Sequence, residues 1–290
     1  MARVICAGHV NWDVTLRVDR LPVPDGEARI EAQSTGGGGS AANVAATLSG
    51  LDVSASLLGS VGTDDRGRAA RADLADAGVD CTHVVEIADA STTVKYLVVD
   101  RTGEVMVFGS EGANERFEAS ALPRSALAAA DHLHLTSQVP ETAAELARRA
   151  TEAGVDVSFD PGRRVRDRDY AAALRAADFL LLNARETELA LEAVPDVAGN
   201  VLVVKRGARG AELRTSERTY DHPGFDVDVV DTTGAGDAFA AGFVAARIDG
   251  GDYDRALAVA NACGALATTR VGARVAIDWN AVDALLSADG

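Results

Sequence analysis

The chain has 290 residues, 47% of them hydrophobic, enough for a substantial core in one large domain or two modest ones. Its 44 acids against 28 bases leave a net charge of −16, which argues against a nucleic-acid backbone as partner. No apolar run approaches the ~20 residues that span a bilayer, so no membrane partner is expected. Aspartate outnumbers glutamate 29 to 15, and only Lys95 and Lys205 are lysines. Such a surface suggests a salt-adapted organism, a halophilic archaeon, where counterions screen self-repulsion. A genome rich in Arg, Asp, Ala and Gly codons accounts for part of the bias. The opening MARVICAGHVNWDV has no basic stretch before a long apolar segment and reads as a strand rather than an export signal. Cys6, Cys81 and Cys263 are odd in number and far apart, with no C-x-x-C, so a reduced cytoplasmic protein is expected.

In chain order, RVICAG (3–8) is an apolar strand ending in glycine. Residues 12–34 alternate polar and apolar around Pro22, Pro24 and an Asp25-Gly26 turn, which suits an antiparallel hairpin with one solvated face. SAANVAATLSGL (40–51) predicts a helix stopped by Gly50, VSASLLGSVG (53–62) a strand, and DRGRAARADLADAG (65–78) a helix. Residues 91–109 alternate again, around Arg101-Thr102-Gly103. Then follow strand 131–136, helix 140–154, strand 155–160, helix 169–177, strands 178–183 and 200–207, and helices 235–248 and 252–269. Such alternation predicts an α/β fold with a mostly parallel sheet covered on both faces. The two alternating stretches have no helix to pair with, so together they predict a small β-lid over one end of that sheet. The expected division is 1–10, 36–90 and 110–290 for the α/β core, with 11–35 and 91–109 for the lid.

DTTGAGDAFAAGF (231–243) places Gly234-Ala235-Gly236 before an apolar helix, with Asp237 at its start. A helix N-terminus presents unpaired N–H groups and a positive dipole end, and glycines let the backbone approach an anion closely. A carboxylate beside a bound phosphate can take a proton from an attacking hydroxyl. The same pattern also suits Asp237 as a plain helix cap. The chain lacks the G-x-x-x-x-G-K-[ST] phosphate loop. GGGGSA from Gly36 imitates a dinucleotide fingerprint, but it follows a hairpin and not the first sheet strand, which argues against an oxidoreductase.

DTTGAGDAFAAGF is similar to the C-terminal signature of the PfkB (ribokinase-like) family of sugar and nucleoside kinases. GGGGSAANVAATLSGL (36–51) resembles that family's N-terminal signature. NARE (183–186) resembles its N-x-x-E motif, KRGARG (205–210) its nucleotide loop, and NACGALATTRVGA (261–273) its adenine and cation segment. These blocks fall in family order across essentially the whole chain. The resemblance implies a ribokinase-like three-layer α/β/α sandwich with a mostly parallel central sheet and a small β-sheet lid. It implies an ATP-dependent kinase that phosphorylates a hydroxyl of a sugar or ribose-containing small molecule. Asp237 is then the catalytic base, and Gly234, Ala235 and Gly236 the anion hole for the transferring phosphoryl group.

Further roles follow from the same resemblance. Asn183 and Glu186 hold phosphate and magnesium-bound water. Lys205, Gly207 and Gly210 line the loop over the ATP phosphates, and Asn261, Gly264 and Ala265 the adenine pocket. Read from the residues alone, Asn183 and Glu186 equally suit a helix start, Lys205 a strand-end cation, and Asn261, Gly264 and Ala265 ordinary helix packing. Acceptor contacts fall to Asn11, Asp13, Gly38, Gly39, Asn43 and Gln138. A potassium site is implied near Asp231, Thr233, Ala267, Arg270 and Gly272, and a homodimer through the lid.

Two departures bear on the acceptor. Ser40 stands where ribokinases carry Lys, and Gln138 where they carry Glu, which puts free ribose in doubt. Arg163, Arg164 and Arg166 follow SFDPG (158–162). Facing inward they suit a sugar phosphate or sugar acid; facing outward they are a solvated basic run. A nucleoside or pentose is expected ahead of a hexose or a 2-keto-3-deoxy sugar acid. A non-catalytic sensing relative would keep the fold and lose the base, so the intact Asp237 counts against it.

Overall fold

The computed structural model describes residues 1–288. Strand β1 (Arg3–Ala7) leads to β2 (Asn11–Val18), β3 (Ile30–Gly38), α1 (Ser40–Gly50), β4 (Ser54–Gly62), α2 (Asp65–Asp76) and β5 (Val84–Ile87). Next come β6 (Val94–Val99), β7 (Val105–Gly109), α3 (Arg124–Ala128), β8 (His132–Thr136), α4 (Pro140–Ala153), β9 (Asp156–Asp160), α5 (Ala171–Ala176) and β10 (Phe179–Asn183). The remainder is α6 (Ala184–Ala193), β11 (Val201–Lys205), β12 (Ala211–Arg214), β13 (Thr219–His222), α7 (Ala235–Ile248), α8 (Tyr253–Thr268) and α9 (Trp279–Ala288).

Nine strands form one sheet in the order β13-β12-β11-β10-β9-β8-β1-β4-β5, parallel except at the β11–β12–β13 edge. Successive side chains of a strand point to opposite faces, and here both faces are buried. Val4 and Cys6 pack with α1, α7 and α8, whereas Ile5 and Ala7 pack with α4 and α5. Leu181 and Val203 repeat the first direction, Leu180 and Leu202 the second. The result is the three-layer sandwich expected from the alternation.

A separate four-stranded sheet has the order β3-β2-β6-β7. Each alternating stretch forms its antiparallel hairpin, and the two hairpins meet through a parallel β2–β6 seam. Strand β3 continues to Gly38, and Ser40 already begins α1, so Gly39 alone separates the small sheet from the sandwich. β12 and β13, four residues each, and α9 are not announced by periodicity; the two short strands lie at an antiparallel edge. Among the described residues no helix is long and apolar enough to cross a membrane.

Candidate active site

Parallel sheets bind ligands at the carboxyl ends of their strands. Here Asp160 ends β9, Asn183 ends β10 and Lys205 ends β11, with Asn183 and Lys205 directly paired. α7 starts beside them. Its N-cap is Gly234, with φ of 78° and no side-chain cap. A Cβ at Gly234 would collide with the Ala273 carbonyl, so only glycine fits this turn.

Asp237 lies in the first turn of α7, yet it does not cap the helix. Its Oδ2 instead accepts from Asn43 Nδ2 at 2.8 Å. Burial raises the Asp237 pKa to about 6, against the pull of the Asn43 amide; Asp160 adds to the rise, while Lys205 and Lys95 oppose it. Lys205 Nζ pairs with Asp160 Oδ2. Burial disfavours the Lys205 charge, but Asp160, Glu186 and Asp237 hold its pKa above the ordinary value. A Cβ built on Gly236 would lie 3.8 Å from Lys205 Nζ, so this ammonium reaches the glycine turn.

Asn183 and Glu186 form a reciprocal capping box on α6, each side chain bonded to the other's N–H at 2.9 Å. The helix-start reading of this pair is thus realised. Burial raises the Glu186 pKa, its hydrogen bond from Asn183 opposes that, and Asp160 adds to it. Asp160 and Glu186 are therefore neighbouring carboxylates beside Lys205. Among the described residues no three His, Cys, Asp or Glu side chains gather to hold a metal. Two oxygen donors beside a phosphate site suit a magnesium ion that keeps most of its water.

In the expected nucleotide loop, Gly207 and Gly210 bracket one turn of 3-10 helix, and a Cβ on Gly207 meets open space. On α8, Asn261 is buried and donates to the Leu257 carbonyl of its own helix at 2.7 Å. A Cβ on Gly264 would sit 3.4 Å from the Ala235 carbonyl, which makes it a contact with α7. Both are used in helix packing; Ala265, beside them, is partly exposed. Asp231 clips two backbone segments together, accepting from Thr233 N at 2.9 Å and Gly272 N at 3.0 Å. Ala267 packs into the core from the last turn of α8, and Arg270 is exposed just beyond it.

Most of the residues expected to contact an acceptor lie on or beside the small sheet. Asp13 faces Gly38 so closely that any side chain at 38 would strike its carboxylate. Gly39, with φ of 99°, turns β3 into α1 against the His9 carbonyl. Asn11 is 0% exposed; its Oδ1 accepts from Asn114, while its Nδ2 and the Asp13 Oδ1 have no partner. Gln138, expected at the acceptor, lies just beyond the end of β8, and its Oε1 has no hydrogen-bond partner among the described residues. It is fully buried, and its amide donates to the Ala7 and Thr136 carbonyls at 3.4 and 3.3 Å, so it ties strand ends.

Sequence reasoning missed several residues here. Arg274 donates to Asn43 Oδ1 at 3.1 Å and to the Gly38 carbonyl at 3.0 Å, and pairs with Asp73. Glu115, in the left-handed region at φ 64°, accepts from His9 at 2.6 Å and from Arg168 at 2.8 Å. Burial acts to raise the Glu115 pKa, but His9 and Arg168 outweigh it and bring it to about 2. An arginine inside VGARVA, and a histidine directly after the first strand, are the signals that could have found them. A separate depression of about 1020 Å³, lined by Asp156, Asp178 and Phe179, opens at the amino ends of the strands, away from Asp237.

A glycine turn at a helix N-terminus, a partly buried carboxylate and a reaching lysine define a phosphotransferase of the open α/β class. The chain belongs to the pfkB family of carbohydrate kinases, which matches residues 1–280. It is 57% identical to an ATP-dependent ribose-1-phosphate kinase of Halopiger xanaduensis, across 99% of both chains. It is 27% identical to a nucleoside kinase of Methanothermobacter thermautotrophicus, over 86% of this chain and 84% of the relative. The crystal structure of a Thermotoga maritima ribokinase matches it with a TM-score of 0.88 and 25% identity, over 99% of both chains. The fold is ribokinase-like, and the protein is a sugar or nucleoside kinase that uses an alcohol as acceptor.

Proposed function

We propose that this kinase moves the γ-phosphoryl group of ATP to the 5-hydroxyl of ribose 1-phosphate, with Asp237 as base. The observation that carries this reading is the Asp237 carboxylate. It is partly buried, free of capping duty, held by Asn43 and set directly behind the glycine turn. Identity of 57% to a ribose-1-phosphate kinase supports the acceptor. Asp237 takes the hydroxyl proton as the 5-oxygen attacks the γ-phosphorus. The bond from that phosphorus to the β–γ bridging oxygen breaks, and ADP leaves with a sugar bisphosphate. The N–H groups of Gly234 to Asp237 and the Lys205 ammonium receive the charge on the transferring group. Asn183, Gly207 and Gly210 flank the donor phosphates, and Ala265 the base. Magnesium, when bound through water by Glu186 and Asp160, supplies further neutralisation of the phosphates.

Asp231, Thr233, Ala267, Arg270 and Gly272 are the surroundings we assign to a potassium ion. The exposed Val105, Met106, Val107 and Phe108 on β7 support a homodimer through the small sheet. The acidic, lysine-poor surface supports a high-salt cytoplasm. The test is phosphoryl transfer from ATP with magnesium in high potassium chloride, offering ribose 1-phosphate, ribose and nucleosides. Preferred turnover of ribose 1-phosphate, abolished in Asp237→Asn, is the expected result. Preference for a nucleoside overturns the acceptor, and full activity in the mutant overturns the base.

A further inference from the structure

Three cations at the cleft are already neutralised: Arg168 by Glu115, Arg274 by Asp73 and Lys205 by Asp160. Lys95 and Arg164 make no side-chain hydrogen bond or ion pair among the described residues. They approach from different elements. Lys95 lies on β6 of the small sheet, and Arg164 on the short 3-10 turn Gly162–Arg166 after β9. Both act electrostatically on His9.

The sheet register shows what surrounds Lys95. Gly36, Asp13, Lys95 and Gly109 form one row across the four strands, and residues paired in register project from the same face. The outer members are glycines, and a Cβ on either would meet nothing within 4 Å. The ammonium therefore stands beside Asp13 with open space in the row. On the same face of β2, Asp13 Oδ1 and Asn11 Nδ2 are buried without partners among the described residues. A carboxylate acceptor, an amide donor and an uncommitted ammonium together suit vicinal hydroxyls next to a phosphate.

Resting on the reading of ribose 1-phosphate as acceptor, we propose that Lys95 binds the acceptor's own phosphate, with Arg164 as a second, more distant charge. A ribose with its 5-hydroxyl at Asp237 and its 2- and 3-hydroxyls at Asp13 presents its 1-substituent beyond Asp13, on the side of Lys95. Lys205 serves the transferring phosphoryl group, and Lys95 the phosphate that stays. The two lysines of the chain thus divide the two phosphates between them.

The test compares wild type, Lys95→Gln, Lys95→Arg and Arg164→Gln. It measures KM for ribose 1-phosphate, for an unphosphorylated nucleoside and for ATP, and calorimetric Kd for ribose 1-phosphate without ATP. Lys95→Gln is expected to raise KM and Kd for ribose 1-phosphate about 10- to 100-fold, the range of a charge-assisted hydrogen bond. KM for ATP and for the nucleoside stays nearly constant, Lys95→Arg restores most of the loss, and Arg164→Gln shows a smaller effect in the same direction. If wild type uses ribose 1-phosphate and Lys95→Gln keeps the same preference for it over the nucleoside, Lys95 is not the phosphate ligand, while the acceptor stands. If wild type neither binds nor phosphorylates ribose 1-phosphate, the acceptor reading fails and the role of Lys95 fails with it. A rise in KM for ATP equal to that for the acceptor moves Lys95 to the donor phosphates and also overturns the proposal.

Discussion

At the strand ends around the glycine turn, the charged groups are already engaged: Lys205 pairs with Asp160, Glu186 accepts from the Asn183 N–H, and Asp231 accepts from two backbone N–H groups. On the small-sheet side, Asp13 Oδ1 and Asn11 Nδ2 are buried without hydrogen-bond partners, and Lys95 makes no ion pair among the described residues. The difference separates two tasks. Groups that stabilise charge during transfer work best when fixed beforehand, because they need no reorganisation as the charge develops. Groups that choose the acceptor can stay unsatisfied until it arrives. Each buried unpaired group costs about 1–3 kcal/mol, which binding of the right hydroxyls recovers.

The contrast can be broken most severely at Asp237. Replacing it with Asn is expected to lower kcat by about 10²- to 10⁴-fold while substrate affinities hold. Steady-state kinetics with calorimetric binding decide it; a loss confined to KM would contradict the base. Gly234→Ala comes next. Its φ of 78° and the approach of the Ala273 carbonyl make an added methyl cost about 1–3 kcal/mol of stability, read as a lowered midpoint in thermal or denaturant unfolding. Displaced turn amides should also reduce kcat by about 10²-fold.

Finer changes sharpen the comparison. Since the Asp237 pKa is raised to about 6, the carboxylate is charged above that pH and takes a proton below it. Activity is therefore expected to level off at higher pH and to fall about tenfold per unit on the acid side. Asn43→Ala removes a hydrogen bond that favours the charged form, so the acid limb moves to higher pH and the loss is greater at pH 6 than at pH 8. An unmoved pH profile would show that Asn43 does not tune the base. The smallest effect belongs to Phe108, 56% exposed on β7. Phe108→Ser is expected to weaken the proposed dimer in sedimentation velocity and leave activity per site nearly unchanged.

Motifs that lie together in the chain were readable before the fold was known. The glycine turn and Asp237 are neighbours in sequence, and the physics of a helix N-terminus makes their joint purpose legible. Arg274 was not readable, because its partners Asn43 and Gly38 lie 231 and 236 positions away. Glu115, His9 and Arg168 assemble from three separate loops for the same reason. Gln138 sits in a polar-looking TSQVP segment, and only the packing of strand ends reveals that it is sealed inside. The sandwich was legible because both faces of its sheet are buried and its strands read as apolar runs. β12 and β13 were not, since four residues at a sheet edge carry too little pattern.

The single residue between β3 and α1 has a mechanical consequence. The strand that carries the small sheet and the helix that carries Asn43 share one rigid lever with Gly39 as its pin. Arg274 braces that lever on both sides of the pin, at the Gly38 carbonyl and at Asn43. Any displacement of the small sheet about Gly39 would therefore be felt at the hydrogen bond on Asp237.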